Sequence, residues 1–170
     1  MRVVRKSVFE TNSSSTHSIC ISKSDMINLP KVVHFGFGEY GWEDNTVYNT
    51  ADYLHTAIYE TEQLEYIDVI KEILDRNNVL YTFDTNIGDG YIGHGGGLRE
   101  FVQDVCGNEN RLLRYLFGDS VIYTGNDNSN DEEDDCYCAD REFIDGAVYN
   151  DRIPNPKHDE EKYEYYFKSN

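Results

Sequence analysis

Proline and cysteine are scarce in this 170-residue chain, at three and four residues, and basic side chains number 15 against 32 acidic ones. Each shortage excludes something. So few prolines, beside 14 tyrosines and eight phenylalanines, exclude the aromatic-poor, Pro-rich composition of disordered chains. Four cysteines are too few for a disulfide scaffold, and a reducing compartment leaves them as buried thiols or metal ligands. The deficit of cations gives a net charge of −17 and a pI near 4.5, whose field repels phosphate backbones and anionic membrane surfaces. No apolar run approaches the ~20 residues that span a bilayer. The opening Met1–Arg2–Val3–Val4–Arg5–Lys6 leads into Ser7–Val8–Phe9–Glu10 rather than an apolar signal core. The expectation is a cytosolic chain.

At this length one core serves the whole chain, so a single α+β domain is expected over 1–170. Acidity is confined to part of it: residues 1–38 hold five basic and two acidic side chains, whereas 39–118 and 119–170 each hold five and fifteen. A strand is predicted over 2–9 and a second where His17, Ile19 and Ile21 alternate with Ser18, Cys20 and Ser22, the two forming a hairpin. Residues 31–35 and 79–83 read as further strands. Asn49 or Asp52 caps a helix with Tyr53, Leu54, Ala57 and Ile58 on one face, and Leu64, Ile67, Ile70 and Leu74 mark a second. Two short helices, 98–106 and 111–117, break at Gly107–Asn108 and precede a strand at 120–124. A small mixed or antiparallel sheet with several short helices follows. Residues 126–146 are expected to form an exposed acidic loop, because the like charges of Asp131–Glu132–Glu133–Asp134–Asp135 cannot share a core. Ala147–Val148–Tyr149 is a strand candidate, and Tyr163 to Phe167 reads as an acidic, aromatic tail.

The glycine run from Gly88 to Gly97 lacks the Lys–Ser or Lys–Thr pair of a phosphate-binding loop and reads as a plain turn region. Cys136–Tyr137–Cys138 is a stronger constellation, since two thiolates lie near one point and zinc takes four N or S ligands. Cys106 and His94 complete the expected set, giving a closed structural zinc site of His94, Cys106, Cys136 and Cys138 that pins the acidic loop. His17 with Cys20 is the substitute pair. The alternative reading leaves Cys20 and Cys106 as small core residues. The acidic run fails as an EF-hand, because its sixth position from Asn126 is Asp131 where glycine is needed. Ser13–Ser14–Ser15–Thr16–His17 sets hydroxyls beside an imidazole, but adjacent positions do not make a triad.

Ser7–Val8–Phe9–Glu10–Thr11–Asn12–Ser13–Ser14–Ser15–Thr16–His17–Ser18 resembles the start of a family of small proteins from bacteriophages and the Gram-positive bacteria they infect. Gly38–Glu39–Tyr40–Gly41–Trp42–Glu43 and Tyr53–Leu54–His55–Thr56 also look like that family. The resemblance brings a context and no activity. Phage context and strong acidity together suggest an anti-CRISPR protein, acting in the cytoplasm of the infected host. Such a protein is a non-enzymatic inhibitor that covers the basic groove of the RNA-guided nuclease of a type II system and blocks DNA or guide loading. Asp131, Glu132, Glu133, Asp134 and Asp135, with Tyr137, Tyr163, Tyr165 and Tyr166, are the expected partner contacts. Two other readings stand beside it: a metal-dependent hydrolase or nuclease using His94 and His17, and a phage accessory protein that assembles with itself through its tyrosine tail.

Overall fold

The alternating residues before Lys23 form a strand, β1 (Ser15–Ser22), one of the two inner members of the four-stranded sheet. The computed structural model describes residues 15–41, 45–88, 90–92, 97–126, 143–144, 147–148 and 161–168, with side chains for 17–41, 46–88, 90–92, 97–124 and 161–164. After β1 come β2 (Val32–Phe35), β3 (Glu39–Tyr40), β4 (Asn45–Val47), α1 (Thr50–Glu60), α2 (Glu65–Arg76) and β5 (Leu80–Phe83). The order continues β6 (Tyr91–Ile92), α3 (Leu98–Cys106), α4 (Glu109–Phe117), β7 (Val121–Asn126), β8 (Phe143–Ile144), β9 (Ala147–Val148) and β10 (Tyr163–Lys168). The fold is α+β, with four helices among the described residues.

Strands run β10-β1-β7-β4 in the main sheet, every neighbouring pair antiparallel. Two-residue side-chain periodicity divides β1 between two environments. Ile19 and Ile21 join Ile122 of β7 in the main core against the helices. Cys20 joins Val121, Tyr123 and Tyr163 in a smaller cluster. The predicted strand over 2–9 lies outside the described residues, and β1 takes β7 and β10 as neighbours. Residues 163–168, expected as a tail, are the edge strand of this sheet: Tyr165 opposes Cys20 and Tyr166 opposes Ile19. Two small ladders are parallel, β2 with β5 and β3 with β6. The α1–α2 pair supplies the long crossover that a parallel β2–β5 connection needs.

Local signals set the helix limits. The Asn49 side chain accepts the Asp52 N–H at the start of α1, and Asn108 accepts the Arg111 N–H at the start of α4. Past α2, Asn78 takes a left-handed φ of 56°, letting the Val79 N–H return to the Leu74 carbonyl at 3.0 Å. Helix α1 packs against the other three helices, β2 and β6. Eight of its residues are buried, Thr50, Ala51 and Tyr53 to Ile58, rather than the single apolar face its spacing suggests. Burial nearly all round brings His55 and Thr56 indoors, where each must find a hydrogen-bond partner.

Candidate functional site

Those partners lie on the segment that leaves β2. The Asp52 carboxylate accepts the Gly36 N–H at 2.6 Å, His55 Nδ1 donates to the Gly36 carbonyl at 2.9 Å, and Thr56 Oγ1 accepts the Gly38 N–H at 3.1 Å. Three side chains from neighbouring turns of α1 thus clasp the backbone of residues 36–38. The glycines suit the closeness of the clasp: a Cβ on Gly36 would sit 3.1 Å from Asp52 Oδ1, and one on Gly38 would displace the Tyr40 ring. Because a carbonyl only accepts, the His55 proton is on Nδ1 in the neutral ring, and Nε2 is buried with no hydrogen-bond partner. Phe37 stacks on the imidazole at 4.2 Å between centroids, and Phe35, Tyr59 and Phe83 present it with tilted or edge-on rings.

The polar interior extends along α1. Tyr53 hydroxyl and His17 Nδ1 are hydrogen bonded at 2.7 Å, and Tyr115 donates to the Thr50 carbonyl at 2.8 Å. Burial raises both phenols well above the ordinary tyrosine value, and burial followed by the Asp52 charge does the same to Tyr40. His55 is pushed below the usual histidine value by burial, which outweighs the Gly36 carbonyl, Asp52, Asp84 and the Phe35 carbonyl pulling the other way. This arrangement ties the backbone of residues 36–38 to α1.

A second feature lies on the outside. Glu65, Asp68, Glu72 and Asp75 recur at spacings of three, four and three along α2, all exposed, opposite the buried Ile70, Ile73 and Leu74. Lys71 reaches Asp68 at 3.0 Å, and the hydroxyl of Tyr81 reaches Asp75 at 3.4 Å. Several arginines are already engaged: Arg76 with Glu109, Arg111 and Arg114 with Glu164, and Arg99 with the Thr61 carbonyl.

The residues expected to carry function separate accordingly. His94, Cys136, Cys138, Tyr137 and the run Asp131, Glu132, Glu133, Asp134 and Asp135 lie outside the described residues. Cys106, expected as a zinc ligand, ends α3 inside the main core at 1% exposure, and burial pushes its thiol up to about 12. Among the described residues no group of three or more His, Cys, Asp or Glu side chains could hold a metal ion, so the zinc-pinned loop has no support there. The substitute pair fails on strand geometry. His17 faces Tyr53 of α1, whereas Cys20, an odd number of residues along β1, belongs to the cluster with Tyr163. Tyr163, expected as a partner contact, is 6% exposed and donates to Asp119 at 3.1 Å, a packing role. Tyr165 and Tyr166 have described backbones only, as do Ser15 and Thr16, while Ser13 and Ser14 lie outside the described residues.

Sequence reasoning missed the clasp and the acidic stripe. The signal for the first was Gly36 and Gly38 directly after a strand; for the second it was carboxylates at helical spacing. Among the described residues no helix is long and apolar enough to cross a membrane. No family model, curated protein or solved structure matches the chain.

Proposed function

We propose that this chain is a non-enzymatic acidic binder that covers a basic, phosphate-contacting surface of a nucleic-acid-handling protein. The observation that carries the reading is the α2 stripe. Glu65 with Asp68, Asp68 with Glu72, and Glu72 with Asp75 are like-charge neighbours on one exposed helix face. The i,i+4 pair Asp68–Glu72 costs a helix roughly 0.2–0.5 kcal/mol, offset in part by Lys71 on Asp68, and a row of partner cations removes the rest. Clustered carboxylates also speed encounter with a basic groove and exclude the polyanion that normally occupies it. The net charge of −17 adds a long-range field of the same sign. The resemblance of residues 7–18 to phage and Gram-positive proteins makes the RNA-guided nuclease of a type II CRISPR system the first partner to test, with inhibition of DNA or guide loading as the outcome. Structural zinc at Cys136 and Cys138 belongs to the same proposal, with ligands beyond the described residues.

The experiment is a binding titration of the whole chain against that purified nuclease, with and without guide RNA, at 50 and 300 mM salt. The reading expects binding that weakens steeply with salt and competes with nucleic acid. The combined change Glu65→Lys, Glu72→Lys and Asp75→Lys should reduce it at least tenfold, and charge reversal of residues 131–135 tests the acidic run in parallel. Absence of binding at low salt sinks the nuclease as partner. Binding indifferent to both charge reversals sinks the electrostatic reading itself.

A further inference from the structure

Independently of that reading, we propose that His55 is a proton-operated catch, holding residues 36–38 on α1 while neutral and releasing them when Nε2 gains a proton. The geometry carries the argument. The ring is fully buried, its Nδ1–H is committed to the Gly36 carbonyl, and Nε2 makes no hydrogen bond inside the cage formed by Phe35, Phe37, Tyr59 and Phe83, where the Phe35 carbonyl already accepts the Asp84 N–H at 2.9 Å. A proton on Nε2 therefore creates a buried cation whose new N–H has no hydrogen bond in the closed clasp.

The charged and titratable groups around the ring do not repair this in place. On α1, Asp52 uses Oδ1 for the Gly36 N–H and Oδ2 for the Asn49 amide, both at 2.6 Å, and Tyr59 presents a ring rather than an oxygen. Past β5, the Asp84 carboxylate lies 3.6 Å from Nε2 of His34, which comes from β2 and is itself bonded through Nδ1 to Thr82 at 2.8 Å. To be solvated, the charged His55 ring must swing outward, breaking the middle fastener of the clasp and carrying Phe37, stacked on it, with it. The adjoining ends of β2 and β5, where Phe35 stacks on Phe83 at 4.4 Å, open together with that segment.

The direction with pH follows from linkage. In the unfolded chain His55 binds its proton near pH 6.5, and burial lowers that value in the folded state. The stability of the closed clasp is therefore full above about pH 6.5 and is lost as pH falls toward the folded value.

Hydrogen exchange of the full chain, read by mass spectrometry between pH 7.5 and 5.0 and corrected for intrinsic rates, tests the catch. Peptides covering residues 33–41 should lose protection by up to about tenfold per pH unit in the acid range, while those covering α4 hold theirs. His55→Phe, which keeps an aromatic ring and cannot titrate, should abolish the pH dependence, and His34→Asn should leave it intact. Unchanged protection of 33–41 down to pH 5.0 overturns the proposal, as does an identical acid response in His55→Phe or its loss in His34→Asn. Should His55→Phe fail to fold, the wild-type His55 ring is titrated by NMR. A midpoint below 6.5 coinciding with the loss of protection sustains the catch, and any other midpoint overturns it.

Discussion

Cys106 shows how burial decides what a side chain can do. Its sulfur sits in the main core beside residues of α3 and α4, and a thiol pushed up to about 12 is not a thiolate at neutral pH. Two consequences distinguish a packing role from zinc ligation. Native Cys106 should resist iodoacetamide in peptide mapping, and Cys106→Ala should cost about 1–2 kcal/mol in urea unfolding by leaving a small cavity. That cost should be the same with and without a chelator. Stability that responds to chelator in the wild type but not in Cys106→Ala would restore Cys106 to a metal site. The same scale explains why the clasp was hard to read from sequence. Asp52, His55 and Thr56 are polar residues in a helix whose apolar positions suggested one inner face, so the half-buried place of Asp52 and the burial of the other two depend on what packs around α1. Nothing local in the sequence states that.

Among the elements, those built on local patterning were legible: β1, β2, β5, β7 and the four helices lie within a few residues of where alternation, helical spacing and Asn caps put them. Strand β10 was not. Its Tyr-Glu-Tyr-Tyr-Phe-Lys sequence has a carboxylate among aromatics, and that carboxylate is accounted for only by α4, some fifty residues earlier. Arg111 Nε meets Glu164 at 2.9 Å and Arg114 meets it at 3.2 Å, with all three side chains partly buried. Glu164→Ala should therefore destabilise by about 1–2 kcal/mol, after allowance for solvent at a half-open site. Glu109→Ala, which removes the exposed pairing with Arg76, should cost less. Urea midpoints compare the two. Equal effects would mean that the Glu164 pairs add nothing to what holds β10. The acidic stripe of α2 was visible as composition but not as a surface, because only the packing of Ile70, Ile73 and Leu74 shows which side of the helix faces out.

At the level of the whole molecule, a charge of −17 works against compactness. Raising salt from about 10 mM to about 150 mM shortens the screening length from ~30 Å to ~8 Å. If screened self-repulsion is worth about 1 kcal/mol, Tm should rise by ~2–4 °C in a scan at neutral pH. A Tm that falls with salt would mean that attractive pairs, such as Arg111 with Glu164, dominate the balance. The order of strands in the main sheet bears on another matter, the making of the protein. Strand β1 lies between partners that begin at Val121 and Tyr163, so both of its edges wait for chain that has yet to be synthesised. At about 5–20 residues per second that wait lasts roughly 7–30 s for β10, far longer than helices need to form. The nascent chain therefore carries β1 unpaired until β7 has been made, and β10 completes the sheet.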